Sequence, residues 1–249
     1  MTASVEGPRL TIVDLPYTDR RTAGLVLADR LRPQSKCPNL LVLALPRGGV
    51  PVAAEVARAL GAPLDLMLVR KLGVPGQPEV AMGAIASGGV QVLNPGVVTT
   101  LGISEQTIDR IAAAEGRELE RRARAYRGDR PPAVLAGRHV ILIDDGLATG
   151  ATMRAAATAA RAQGPAGLVV AVPVAPEAAL ELLEPDIDEL VCPATPEPFI
   201  AVSHWYEAFP QVGDEEVRAL LEDAPDAEPT SQFASPHDGH GAAERHAGA

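Results

Sequence analysis

Two adjacent carboxylates, Asp144 and Asp145, stand directly before a small, hydroxyl-rich run, Gly146-Leu-Ala-Thr-Gly-Ala-Thr152. Four apolar residues, Val140 to Ile143, precede them and predict a short strand buried on both faces of a parallel sheet. The Ala-rich pattern from Met153 to Gln163 predicts a helix after them. A strand, a glycine-containing turn and a helix start gather backbone N–H groups at the positive end of a helix dipole. Thr149 and Thr152 can add hydroxyl donors, so the chemistry suited to Gly146, Leu147, Ala148, Thr149, Gly150, Ala151 and Thr152 is phosphate binding. A triphosphate loop would carry Lys before its final Ser or Thr, whereas Ala151 precedes Thr152 here, and no G-x-G-x-x-G fingerprint is present at this loop. The acid pair fits neither motif. It fits a ligand with a phosphate at one end and a polyol or Mg²⁺ at the other.

A second strand–turn–helix unit lies upstream. Asn39 to Leu45 is apolar, Pro46-Arg47-Gly48-Gly49 stops it, and Val50 to Leu60 is helical, with Pro51 tolerated in the first turn. Leu64 to Val69 predicts another strand, delivering Arg70 and Lys71; Lys71 is one of two lysines in an arginine-rich chain. The run Leu72 to Val80 is too rich in Gly and Pro for regular structure and reads as a lid or a solvated linker.

The rest of the chain positions these loops. Asp19 suits the N-cap of a helix whose stripe Ala23, Leu27, Ala28 and Leu31 runs to Arg32, ended by Pro33 and Pro38. A short piece, Leu10 to Val13, suits an edge strand. Met82–Ser87 and Val90–Leu93 predict a hairpin about Gly88-Gly89. Pro95 to Leu101 is a short helix, and Ser104 caps a long one with a solvated charged face and a Glu118–Arg122 pair. Strands at Leu168–Val174 and Ile187–Cys192, with helices at Pro176–Leu183 and Glu215–Leu221, complete an α/β, doubly wound, mainly parallel sheet flanked by helices. Four of the seven aromatics, Phe199, Trp205, Tyr206 and Phe209, cluster where this rhythm breaks. They either pack a terminal segment or cap the site. From Ala224 onward the composition predicts disorder, and His237, His240 and His246 there lack ordered partners for a metal.

A hydrophobic fraction of 47% over 249 residues supports a sizeable core, and aromatics at 3% leave Ala, Val and Leu to fill it. The net charge of −10 argues against nucleic acid or membrane as partner. Cys37 and Cys192 lack metal spacing and read as buried thiols of a cytoplasmic protein.

The run of four hydrophobics, two acids and Gly-Leu-Ala-Thr-Gly-Ala-Thr resembles the phosphoribosyl pyrophosphate (PRPP) loop of type I phosphoribosyltransferases. Residues 40–210, with Pro-Arg-Gly-Gly, Val-Arg-Lys-Leu-Gly and Trp-Tyr, are similar to a group of bacterial phosphoribosyltransferase-like proteins. The resemblance implies a domain over residues 1–223, with 193–223 as a C-terminal hood and 224–249 as a tail. It implies transfer of a 5-phosphoribosyl group from PRPP to a nitrogenous base, releasing pyrophosphate, with Mg²⁺ as cofactor. On that reading Asp144 and Asp145 hold the ribose hydroxyls and, through them or water, the metal. The 5-phosphate sits on Gly146 to Thr152. Arg47, Gly48, Gly49, Arg70 and Lys71 take pyrophosphate, often through a cis peptide, under a flexible lid that favours the lid reading of Leu72–Val80. Arg47 and Lys71 join the acids as catalytic groups, with Glu79 in a lid-compatible place. Trp205 and Tyr206 belong to the acceptor hood. Members specific for 6-oxopurines carry Asp where Ala148 stands, which disfavours those acceptors. A homodimer stays open, as do a non-catalytic PRPP or nucleotide sensor and a hydrolytic reaction.

Overall fold

The protein is described by a computed structural model over residues 13–224. The chain runs α1 (Arg20–Arg30), β1 (Leu40–Ala44), α2 (Gly49–Leu60), β2 (Leu64–Leu66), β3 (Val69–Val74), β4 (Gln77–Ala86) and β5 (Gln91–Leu93). It continues through α3 (Pro95–Thr100), α4 (Glu105–Arg127), β6 (His139–Ile143), α5 (Ala151–Arg161), β7 (Gly167–Ala171), α6 (Glu177–Glu181), β8 (Glu189–Val191) and α7 (Asp214–Glu222). Asp19, Asn94 and Ser104 cap α1, α3 and α4, each accepting a backbone N–H from three residues on.

Five strands form one parallel sheet in the order β2-β1-β6-β7-β8. Strand alternation divides its side chains between two cores. Leu40, Val42, Ala44, Ile141 and Ile143 pack toward α1, α2 and α7. Leu41, Leu43, Val140, Leu142, Leu168 and Val170 pack toward α5 and α6. Alanines make much of α5's buried face, Ala156, Ala157, Ala159 and Ala160, so the helix lies close on the sheet. The α1–α2 contact is closer still: a side chain on Gly24 would meet the Val52 carbonyl at 2.8 Å.

The sheet order places a topological switch between β1 and β6, which lie side by side while their following connections lead away in opposite directions. Open α/β sheets bind ligands in the crevice at the carboxyl ends of such strands. The two loops singled out by the sequence leave from those two ends.

Two expectations change. Leu64 to Val69 is not one strand: β2 ends at Leu66, and β3 begins at Val69 in a separate antiparallel sheet, β3-β4-β5. The Gly/Pro-rich run Leu72–Val80 is regular, because Pro75 and Gly76 form the turn of the β3–β4 hairpin. Gly76 has φ 76°, the value a two-residue turn asks of its second residue, and register shifts about Gly73 absorb the irregular spacing. The Gly88-Gly89 hairpin is as expected, with φ 85° and 74°. Leu72, Val74 and Met82 pack this small sheet on Ile108 and Ala112 of α4. A buried ion pair, Arg127 Nε to Asp65 Oδ1 at 2.6 Å, ties the end of α4 to β2.

Cys37 and Cys192 are free and partly buried, and burial pushes the Cys192 thiol up to about 11. The edge strand expected from Leu10 lies, but for Val13, outside the described residues, as do the side chain of Glu79 and the tail after Ala224. No helix among those described is long and apolar enough to cross a membrane.

Candidate active site at the switch point

The loop after β1 folds against the acids after β6. The Pro46–Arg47 peptide is cis, and Gly49 N–H donates to the Leu45 carbonyl at 3.1 Å. A Cβ on Gly48 would lie 2.1 Å from Asp145 Oδ2, and one on Gly49 would lie 2.6 Å from the Ile143 carbonyl and 3.1 Å from Asp144 Oδ1. Glycine is therefore required at both positions by close approach to the acid pair.

Beyond the acids, Gly146 has φ 157° and packs under Val202 and the Val174 carbonyl, and Leu147 is buried with its N–H on that carbonyl at 3.0 Å. Gly150, at φ 70°, turns the chain into α5 with no side-chain cap. Arg154 N–H donates to the Gly150 carbonyl at 2.8 Å as the first helical bond. The N–H groups of the preceding turn, Ala151 to Met153, thus open toward the loop, beside exposed Ala148 and Thr149. Among the described residues, a weak contact of 3.5 Å from Ala151 N–H to Thr149 Oγ1 is what engages them.

The two acids differ. Asp144 Oδ1 accepts the Asp145 N–H at 2.9 Å, and burial, then the neighbouring Asp145 charge, hold its carboxyl well above the usual range. Asp145 is also raised by burial, but Arg20 pulls it back. Arg20 Nε donates to Asp145 Oδ2 at 2.8 Å from the buried face of α1. The sequence reading missed Arg20. Its signal was present: Arg20 stands in the helical register of Ala23, Gly24, Leu27 and Ala28, so a charge sits on an apolar stripe.

The predicted cations divide. Arg47 Nη1 lies 3.5 Å from Asp214 at the start of α7. Arg70 Nε donates to Glu115 Oε2 of α4 at 2.6 Å and shares a small cavity with Pro46, Arg122 and Thr152. Lys71, the next strand residue, points the other way. It is exposed and lines a cleft of about 510 Å³ with Thr149, Ala151 and Arg154. Arg70 and Lys71 therefore do not converge on one side of the loop.

Tyr206 does not present its ring as a hood. It is 6% exposed, its hydroxyl donates to the Asp145 carbonyl at 2.5 Å, and its ring packs on Tyr17 and Phe209. Burial, then the Asp145 charge, push that hydroxyl's pKa up. Trp205 packs on Phe199, with ring centroids 6.1 Å apart. The aromatic cluster thus packs a terminal segment, pairing Tyr17 with Tyr206.

For Mg²⁺ the pair supplies hard oxygen donors. Among the described residues no group of three or more His, Cys, Asp or Glu could hold a metal. Mg²⁺ is commonly held by one or two carboxylates together with substrate phosphates and water, so the residues fit an ion that arrives with a diphosphate.

The family model of the phosphoribosyl transferase domain matches residues 34–206, and the chain belongs to that family. In particular, the chain is 46% identical to TT1426 from Thermus thermophilus, whose crystal structure superposes with a TM-score of 0.76 over 83% of this chain and 98% of that one. It is 47% identical over 208 residues to two Mycobacterium tuberculosis proteins, each named "Putative phosphoribosyl transferase": MT0597 of strain CDC 1551 / Oshkosh and Rv0571c of strain ATCC 25618 / H37Rv. The match covers 84% of this chain and 47% of each relative, so the chain spans about half the length of these curated relatives.

Proposed function

We propose that the protein transfers a 5-phosphoribosyl group from PRPP to a nitrogenous base, releasing pyrophosphate. The observation that carries this reading is the abutment at the switch point. Gly48 and Gly49 lie against the acid pair, and the donor-rich turn into α5 follows directly. A ligand in that crevice meets three kinds of partner in order. The turn offers N–H groups and hydroxyls to a phosphate, Asp144 offers acceptors to ribose hydroxyls, and the 46–49 loop offers its backbone to a diphosphate.

Bound Mg²⁺ would supply positive charge to the diphosphate as the bond to the anomeric carbon breaks. The chain's own groups orient the ribose, stabilise with Asp144 the cationic centre that develops there, and receive the leaving group's charge. Arg47, within the 46–49 loop, is paired with Asp214, and Arg70, beside that loop, with Glu115. Ala148, exposed in the loop, supplies no carboxylate to a 6-oxopurine, so this reading favours other bases.

The test is a pyrophosphate-release assay with PRPP, Mg²⁺ and a panel of purine, pyrimidine and pyridine bases. Release with at least one base is expected. PRPP binding by calorimetry without release for any base would make the protein a sensor, and no binding at millimolar PRPP would remove the assignment.

A further inference from the structure

Asp145 is held from several directions by the protein itself. Arg20, only 8% exposed, donates Nε to Oδ2 at 2.8 Å. The same guanidinium donates Nη1 to the Pro210 carbonyl at 2.7 Å and lies 3.6 Å from the centre of the Phe209 ring. Tyr206 donates its hydroxyl to the Asp145 carbonyl, and the carboxylate fills the space where a side chain on Gly48 would be. Four stretches distant in sequence therefore meet at the Arg20–Asp145 pair: α1, the 46–49 loop, the turn after β6 and the segment 206–210.

An ordinary buried ion pair is weak evidence of stabilisation, since desolvation offsets much of the attraction. This one bonds directly to one of the two site acids and reaches the other only through its charge. A planar guanidinium suits the place because it can stack on Phe209 while forking to a carboxylate and a carbonyl, which an ammonium cannot do.

We propose that Arg20 is a positioning residue: it withdraws Asp145 from the ligand and makes it the peg that fixes the 46–49 loop and the 206–210 segment, leaving Asp144 as the acid that meets the ligand. The division of labour rests on the phosphoribosyl-transfer reading, but the peg itself does not. Its consequence for the reaction is specific. If the 46–49 loop serves the leaving group, loosening it affects the transition state more than substrate binding, so kcat falls while affinity for PRPP stays near its original value.

Hydrogen–deuterium exchange on the full chain tests the peg without any ligand. Arg20→Met and Asp145→Asn should each speed exchange about ten-fold or more in peptides covering residues 46–50 and 203–212. Arg20→Lys should recover part of the protection, and Asp144→Asn should leave both peptides as in the wild type. Wild-type protection in Arg20→Met, or equal loosening by Asp144→Asn, overturns the proposal. Should Arg20→Met fail to fold, Tyr206→Phe, which keeps the ring but removes the hydroxyl, reads the same peptides with the same expected direction.

Kinetics then test the division of labour. Arg20→Met and Asp145→Asn should each lower kcat roughly 10- to 100-fold, with PRPP affinity changed less than about three-fold. The double variant should be no worse than either alone, whereas adding Asp144→Asn should multiply the loss. Multiplicative losses for Arg20→Met with Asp145→Asn would show that the two residues act independently and overturn the division. A wild-type protein without transfer activity would count against the reaction while the exchange data still judged the peg.

Discussion

The loop from Asp144 to Thr152 and the hairpin from Val69 to Ala86 both carry charges at the crevice, and they place them by opposite means. In the loop, one acidic residue, Asp145, is fixed by the convergence of remote segments: α1 and the 46–49 loop at its carboxylate and Tyr206 at its carbonyl. In the hairpin, charges are placed by the strand's own two-residue period, which turns Arg70 toward Pro46 and Thr152 and Lys71 toward the cleft with Thr149 and Arg154. Fixing by convergence tolerates little change in any contributor. Fixing by period tolerates loss of one side chain and fails only when the strand itself fails.

The sharpest test of that contrast is Asp144→Asn. Transfer should fall about a thousand-fold, about 4 kcal/mol of barrier, in steady-state assays. The fold should be kept. Because burial and Asp145 raise the Asp144 pKa, the folded protein binds that proton more tightly than the unfolded chain. Stability therefore declines as pH rises from the ordinary Asp value, about 4, up through the raised folded value. Asn escapes this penalty, so its melting-temperature gain should be absent near about pH 3 and grow toward neutrality. A destabilised variant with unchanged PRPP affinity would return the pair to a structural turn.

Next comes Gly48→Ala. Its methyl would enter the Asp145 carboxylate, so the two loops must part. We expect activity lower by about 100-fold, about 3 kcal/mol of barrier, and stability lower by about 1–3 kcal/mol, measured by kinetics and denaturant titration. Near-wild-type values would show that the loops are not held in register.

Lys71→Ala should be milder, slowing kcat about ten-fold with little change in PRPP affinity. Unchanged kinetics would leave Lys71 a solvated strand residue. Gly76→Ala is the smallest: φ 76° costs an alanine about 1–2 kcal/mol, seen in thermal melts, with kinetics of the remaining folded protein unaltered.

The same contrast explains what the sequence disclosed. Strands β1, β6, β7 and β8 and the two loops at the switch point were legible because apolar runs, glycines and acids lie next to one another in the chain. The hairpin was misjudged because Gly and Pro were counted as composition, when Pro75-Gly76 occupies a defined turn and Gly73 a bulge. The single strand expected over Leu64–Val69 failed because no local feature marks the change of sheet at Met67 and Leu68. Tyr206 was read by its ring, but its hydroxyl and its burial decide its role. Arg20 went unread because its partner lies 125 residues away.

The chain has one tryptophan, and it stands beside Tyr206, whose hydroxyl holds the Asp145 carbonyl. Its backbone carbonyl accepts the Tyr17 N–H at 2.9 Å, and its indole packs on Phe199. Excited at the red edge of protein absorption, the molecule therefore emits from a single, known position. Its fluorescence forms a natural optical gauge of the frame behind the acid pair, allowing substrate docking or loosening of that frame to be followed in stopped flow without attaching a dye.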